Sequence, residues 1–289
     1  MAPLPPSVRA LRDIVRACQL CPNRCGVDRA AGEVGRCGIG LTPRLASWGP
    51  HFGEEPVLVG AGGSGTIFFS GCSLHCVFCQ NADISQQAAG EPAPPEALAD
   101  LMIELQRRGC ENVNVVTPTH VAHAVAEAVT RARVRGLEVP VVYNCGGYEP
   151  VQVLHLLAGL VDIYMPDFKY GDRAAGLRYS HAPDYPEVAE AALSEMSRQV
   201  GPLRVDGRGV ATRGVLVRHL VLPGGLSDPR RVIEAVARAA PGAAVNIMAQ
   251  YRPAHLAHRF PELLCRADAG EIRSLRASLA RYGLLDVSR

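Results

Sequence analysis

The stretch Thr66-Ile67-Phe68-Phe69-Ser70-Gly71-Cys72-Ser73-Leu74-His75-Cys76-Val77-Phe78-Cys79-Gln80-Asn81 carries the reading of this chain. A short apolar run ends at a glycine, as a strand does where it breaks into a loop. The loop then delivers three cysteines spaced C-x3-C-x2-C. Three thiolates with no fourth ligand beside them suit a cubane iron–sulfur cluster with one iron left open, because electron-transfer clusters close every iron with four cysteines. Structural zinc likewise takes four ligands.

Outward from that loop, the chain of 289 residues is 48% hydrophobic, enough to bury a full core as one large domain or one domain with a small appendage. A net charge of +2 is too mild to argue for nucleic-acid or membrane partners. No apolar run reaches the roughly 18 residues of a spanning helix, and Met1 to Arg12 holds prolines and early charge rather than an apolar signal core. The expected compartment is the cytoplasm, where ten cysteines, seven of them in tight clusters, read as metal or cluster ligands rather than disulfides. Of the 30 basic residues only Lys169 is a lysine. A chain that uses arginine everywhere else and keeps one lysine points to a place that needs a compact ammonium.

Upstream, Cys18-Gln-Leu-Cys21-Pro-Asn-Arg-Cys25 is followed by eleven residues and Cys37-Gly38. Four cysteines interleaved with Pro and Gly make a four-thiolate knot, and zinc and a second iron–sulfur cluster fit it equally. Residues 38 to 65 read as an irregular linker that ends in Gly60-Ala-Gly-Gly-Ser-Gly65. Those glycines precede a strand, whereas a dinucleotide fingerprint follows one, so they read as a flexible approach rather than a nucleotide site. The expected division is a cysteine-rich extension and linker over 1–60 and a core over 61–289.

From residue 66 onward strand and helix signals alternate. Apolar, β-branched runs fall at 66–70, 112–117, 139–144, 161–168, 214–222 and 244–248. Helical patterns lie between and after them, at about 95–108, 120–135, 150–158, 185–200, 228–239 and 270–282, the fifth with Ser227 or Asp228 as its cap before Pro229. Six strand–helix units predict an α/β fold with a parallel sheet, short of the eight units of a closed barrel, hence an open (β/α)6 barrel. Chemistry in such folds gathers at the C-terminal strand ends. There the sequence places the cysteine loop, Thr117-Pro-Thr-His120, Tyr143-Asn144-Cys145, Asp162…Asp167-Phe-Lys169, Arg218-His219 and Gln250-Tyr251-Arg252.

The cysteine triad after a first strand resembles the radical S-adenosylmethionine (SAM) superfamily. Asp162…Asp167-Phe-Lys169 and Arg218-His219-Leu-Val-Leu-Pro-Gly224 resemble the branch containing the pyruvate formate-lyase activating enzyme. The blocks Cys18-x-Leu-Cys-Pro-x-x-Cys25, Asn114 to His120 and Tyr251-Arg-Pro resemble an uncharacterised activating-enzyme-like subgroup. The resemblance implies a partial TIM-like barrel, a 4Fe–4S cluster on Cys72, Cys76 and Cys79, and SAM at the open iron. It further implies reductive cleavage of SAM to a 5′-deoxyadenosyl radical that abstracts hydrogen from a substrate, such as a glycyl-radical enzyme or another protein. An electron donor of the flavodoxin or ferredoxin type goes with that activity. By the same resemblance Lys169 pairs with the SAM carboxylate, its alternative being a salt bridge to Asp167 or Asp162. Arg218 binds that carboxylate or sits in a buried ion pair. Asn144 contacts the ribose, and Phe78 packs near the adenine or anchors the loop. His120 and His219 bond to substrate or are satisfied structural histidines; Tyr143 and Tyr251 contact substrate or adenine. Two features depart from the branch: the Gly-Gly-Glu segment is replaced by Thr117-Pro-Thr-His120, and the extra cysteines lie N-terminal to the triad rather than after it. The competing reading is an iron–sulfur redox or carrier protein that does not use SAM.

Overall fold

The structure is a computed structural model and describes residues 3–288. Among them lie ten strands: β1 (Arg44–His51), β2 (Ser64–Phe69), β3 (Glu91–Pro92), β4 (Asn112–Val116), β5 (Val141–Cys145), β6 (Ile163–Pro166), β7 (Arg204–Val205), β8 (Ala211–Leu220), β9 (Ala244–Met248) and β10 (Leu285–Asp286). The helices are α1 (Pro6–Ile14), α2 (Pro56–Val59), α3 (Ala82–Ser85), α4 (Pro95–Arg107), α5 (Ala122–Val134), α6 (Val151–Leu157), α7 (Arg173–Ser180), α8 (Tyr185–Val200), α9 (Pro229–Ala239) and α10 (Ala269–Leu279). No helix among the described residues is long and apolar enough to cross a membrane.

The fold is a mixed α/β one built on a largely parallel sheet. β2, β4, β5, β6, β8 and β9 stand side by side in chain order, every neighbouring pair parallel. β1 extends the sheet antiparallel to β2, β3 pairs antiparallel with β1, and β10 joins β9 at the other edge. β5 is buried along its whole length and β4 in all but its last residue, which is why both read as apolar runs rather than alternating ones. Between the parallel strands run amphipathic helices. α4 buries Leu98, Ala99, Met102 and Leu105 on one stripe, and its three large side chains stabilise the fold by roughly 1.5–3 kcal/mol each. α9 starts on Asp228, whose Oδ1 accepts from the Arg231 N–H at 3.4 Å, with Pro229 in its first turn.

The side-chain period of two along each strand sorts the sheet face opposite these helices into two layers. Val142, Ile163, Met165, Leu216 and Ala244 form an apolar layer there, closed by Leu58 of α2. One step further along the same faces come Asn144, Asp167, Arg218 and Asn246, near the C-terminal ends.

Two expectations are corrected. Residues 38–65 are no irregular linker: they contain the eight residues of β1, hydrogen-bonded along β2, and the turn α2. Nor is the glycine run a flexible approach. A Cβ on Gly62 would stand 1.8 Å from the carbonyl oxygen of Gly109, so the backbone lies flush on the turn after α4, an approach only glycine permits. The six core strands and the helices that join them otherwise fall within a few residues of their expected bounds. α1 was missed although Val8, Leu11 and Val15 recur at helical spacing behind Pro6, whereas α7 has no clear apolar stripe. The cysteine-rich segment shares the main apolar core through Val8, Leu11, Val15, Leu20 and Ile39.

Candidate active site

The loop after β2 turns at Gly71, whose φ of +81° places it in the left-handed region. Three backbone bonds clamp it: Gly71 N–H to Ile84 O, Val77 N–H to Tyr179 O, and Leu256 N–H to Val77 O. Phe78 adds an anchor, its buried ring meeting Tyr170 and Tyr251 edge to face at 6.4 and 6.0 Å. That is the anchoring alternative for Phe78; its ring stands in an aromatic cluster beside the cavity that the cysteines line.

Each of the three sulfurs has a polar neighbour. The Leu74 N–H donates to Cys72 Sγ at 3.4 Å, the Ser180 hydroxyl donates to Cys76 Sγ at 2.9 Å, and Ser85 Oγ lies 3.2 Å from Cys79 Sγ. Donors aimed at sulfur stabilise thiolates in cluster sites. Burial, then the neighbouring Cys76, pushes the Cys72 thiol up to about 12, and burial raises Cys76 although Lys169 opposes it. Cys72 and Cys76 are therefore neutral thiols when free, and a cluster bound there would displace their protons.

The same cavity is walled by Asn144, Cys145, Asp167, Lys169 and Arg218 from the strand ends, and by Val116 and Thr117. Lys169 Nζ donates to Asp167 Oδ2 at 2.6 Å. Arg218 donates through Nε to Asp167 Oδ1 at 2.9 Å and through Nη2 to Asn144 Oδ1 at 2.7 Å. Burial alone raises the Asp167 carboxyl, but Arg218 and Lys169 bring it below its ordinary value. Burial likewise works against the Lys169 charge, and Asp167, followed by Cys76, outweighs it and holds the ammonium protonated. One carboxylate thus positions two cations on the wall facing three thiols. Of the two carboxylates that the sequence offered Lys169, Asp167 is its partner, while Asp162 pairs with Arg133 at 2.6 Å and accepts from the Val141 N–H.

Other candidates are brought elsewhere. His120 Nε2 bonds to Ser70 O at 2.8 Å, and His219 bonds through Nδ1 to Phe168 O at 2.6 Å and through Nε2 to Ser227 Oγ at 3.3 Å. His219 is a satisfied structural histidine, whereas His120 keeps a buried Nδ1 with no partner among the described residues; burial lowers both to about 4. Tyr143 Oη donates to Glu149 and Tyr251 Oη to Leu263 O, both inside the core. Ser180 and Ser85 were not singled out from the sequence. Nothing in it ties Ser180 to a cysteine 104 positions away.

The N-terminal cysteines gather in one lobe against this loop. Cys21 and Cys37 are raised chiefly by burial, Cys21 to about 12; Cys21 also feels Cys37 and Cys25, and Cys37 feels Cys18 and Cys25. Asn23 Nδ2 donates to Ser73 O at 2.7 Å, and His75 Nε2 bonds to Arg36 O at 2.9 Å, which ties the lobe to the triad loop. Among the described residues no three His, Cys, Asp or Glu stand close enough to share a single metal ion, in this lobe or in the triad loop.

A model of the radical SAM superfamily matches residues 66–200. The chain is also 32% identical over 285 residues to a protein of Methanocaldococcus jannaschii named "Uncharacterized protein MJ0674", covering 96% of this chain and 78% of that one. Members of the superfamily are enzymes that cleave SAM with an iron–sulfur cluster, and the matched segment runs from β2 through the cysteine loop and Lys169 to the end of α8. This chain therefore belongs to the radical SAM superfamily.

Proposed function

We propose that this protein is an activating-enzyme-like radical SAM enzyme, with Cys72, Cys76 and Cys79 holding a 4Fe–4S cluster whose open iron takes SAM. The observation that carries the reading is the single cavity in which three hydrogen-bonded thiols face an Asp167–Lys169–Arg218 wall. When bound, cluster and cofactor supply one-electron cleavage of the sulfonium to methionine and a 5′-deoxyadenosyl radical that abstracts hydrogen from a substrate. The chain's own part is positional. Asp167 keeps Lys169 charged and aimed across the cavity, where its ammonium binds the SAM carboxylate as a point charge. Arg218 holds Asn144 by its carbonyl oxygen, which leaves the Asn144 amide donor for a ribose hydroxyl. The clamped loop and Phe78 keep the three sulfurs in place without help from a fourth ligand.

The sequential strand order, with every crossover between adjacent neighbours, supports a sheet curled into a partial (β/α)6 barrel rather than a doubly wound one. Of the two groups that the sequence offered for the N-terminal cysteines, zinc or a second iron–sulfur cluster, we retain the cluster, because among the described residues no three of these cysteines stand close enough to share a single zinc ion, and we keep the cytoplasm as compartment. A flavodoxin or ferredoxin supplies the electron, and a glycyl-radical enzyme or another protein serves as target. The test is anaerobic reconstitution, dithionite reduction and chromatography for 5′-deoxyadenosine. Product from the wild type and none from Cys76→Ala is the expected result. Cluster-loaded wild type that releases none would sink the proposal and leave an iron–sulfur carrier in its place. Cys21→Ala, if folded, retains cleavage when the N-terminal site is structural.

A further inference from the structure

The lobe of the N-terminal cysteines encloses a cation with no carboxylate beside it. Arg29 is 1% exposed and makes no ion pair with an acidic side chain among the described residues. Its guanidinium donates to the carbonyl oxygens of Gly40 and His120 and, through Nη1 at 3.8 Å, to Cys18 Sγ. The same charge works to lower the Cys37 thiol. A buried charge needs a counter-charge, and sulfur is what surrounds this one. Two further lobe sulfurs have donors: Asn23 Nδ2 lies 3.6 Å from Cys21 Sγ, and the Arg36 N–H 3.3 Å from Cys25 Sγ. None of the four cysteines is in a disulfide. Four neutral thiols would leave Arg29 uncompensated, whereas thiolates on an iron–sulfur cluster supply the negative charge and use the donors. The lobe is also joined to the triad. The Asn23 amide donates to Ser73 O at 2.7 Å as well, and the Leu74 N–H of that same peptide group donates to Cys72 Sγ at 3.4 Å. One side-chain amide and one peptide group thus connect a lobe sulfur to a triad sulfur across no more than about 12 Å.

We propose that the lobe is the port by which electrons reach the triad: an acidic one-electron carrier protein docks over Cys25, and Asn23 bridges the lobe to Cys72. The passage is one electron, lost by the carrier and gained at the triad, with the lobe returned to its starting state and no bond made or broken. Cys25 is the exposed one of the four. Exposed arginines stand beside the cysteines, with Arg16 two positions before Cys18, Arg24 next to Cys25 and Arg36 next to Cys37. Over residues 3–45 seven arginines face three acids, Asp13, Asp28 and Glu33, an excess that a bound cluster offsets only in part. Asp28 and Glu33 are turned onto backbone N–H groups of their own loop, and Asp184, which reaches this side with Tyr148, accepts the Tyr148 hydroxyl. A positive rim of this kind steers an acidic partner and fixes its orientation. Only the destination of the electron rests on the radical SAM reading; the lobe cluster and the docking do not.

The experiment uses the full chain, reconstituted anaerobically, and recombinant flavodoxin photoreduced to its hydroquinone. About eight irons per chain are expected, falling to about four when Cys18 and Cys21 are both replaced by Ser. Four irons and one zinc in the wild type overturn the proposal. Mixed without SAM in a stopped-flow cell, the hydroquinone should pass one electron to the protein and show semiquinone absorbance. Arg24→Glu with Arg36→Glu should weaken flavodoxin binding about tenfold in calorimetry and remove most of its salt dependence. Asn23→Leu should leave that binding unchanged and slow, about tenfold or more, the rise of the SAM-sensitive paramagnetic signal in freeze-quenched samples, which times arrival at the triad. Dithionite, a small reductant that needs no docking, should support SAM cleavage equally in wild type and in all the arginine and Asn23 variants. Unchanged arrival in Asn23→Leu, binding indifferent to the arginine reversals, or a loss of the dithionite reaction in Asn23→Leu equal to its flavodoxin loss overturns the port. No cleavage by wild type with dithionite sinks the radical SAM reading instead, and the iron count, flavodoxin binding and semiquinone yield then still decide about the lobe.

Discussion

Lys169 carries a charge that its surroundings would extinguish if Asp167 were not 2.6 Å away. Taking an ammonium out of water costs several kcal/mol, and only a close counter-ion offsets it. The pair is therefore a device for holding a positive charge beside the cysteine loop rather than a stability gain. Lys169→Met should weaken SAM binding about tenfold or more, the usual worth of one charge-assisted contact. Lys169→Arg should not rescue it, because the planar fork cannot take the place of a compact ammonium. Equilibrium dialysis against labelled SAM on the cluster-loaded protein reads both, and an unchanged Kd would remove Lys169 from the site. The residue was legible in the sequence because it is the one lysine near a strand end. Ser180 was not, since its bond to Cys76 exists only once α7 is folded against the loop.

At the scale of the element, the cysteine loop depends on one backbone position. Gly71 has φ +81°, and a Cβ there would lie 2.6 Å from both the carbonyl oxygen of Cys37 and Cγ1 of Ile39. The turn that launches the triad is thus also the seat of the N-terminal lobe. Gly71→Ala should cost about 1–3 kcal/mol in left-handed strain, plus the displaced contact. Amide exchange around residues 37–40 should quicken together with that of residues 72–79, as the two segments loosen in concert. Quickening confined to the triad loop would show that the lobe is held elsewhere. The strands themselves were read from apolar runs with bounds shifted by up to a few residues. β1 escaped because Arg44-Leu-Ala-Ser-Trp-Gly-Pro-His51 alternates weakly and carries Gly and Pro, which ordinarily mark turns. Pairing along the whole of β2 overrides that local signal.

For the whole molecule, buried titratable groups set opposing slopes of stability with pH. His120, His123 and His219 are lowered, chiefly by burial, to about 4, 3 and 4. Stability from keeping them neutral is present above about 6.5, their ordinary value, and is lost as pH falls through 4 to 3. Glu149, buried and bonded to Thr119 and Tyr143, is raised by burial to about 8, and Glu54 to about 7. Stability from keeping these two protonated is complete below about 4.5 and declines as pH rises through 7 and 8. Between 4.5 and 6.5 three histidines outweigh two carboxyls, so thermal stability should peak near pH 6.5. Glu149→Gln, neutral at every pH, should flatten the decline from pH 6.5 to 8.5 in a melting series. A wild-type profile still climbing through pH 8 would contradict this balance.

The sequence by itself determined the superfamily and the parallel strand–helix alternation, and it singled out the three clustered cysteines and the one lysine, because each is written in local spacing or in composition. The resemblance offered His120 and His219 either to substrate or to the structure, Tyr143 to substrate or adenine, and Asp162 as one of two partners for Lys169; the structure places His120, His219 and Tyr143 in the interior and joins Asp162 to Arg133. Only the tertiary structure decided which polar residues face one another, since that depends on the strand register that aligns Asn144, Asp167 and Arg218 on one face. It also decided that the Glu54–Glu55 turn closes over the far side of Arg218, from more than 160 positions earlier in the chain. No pattern of neighbouring residues encodes such a meeting; it arises when β1 pairs with β2 and carries the turn across the sheet.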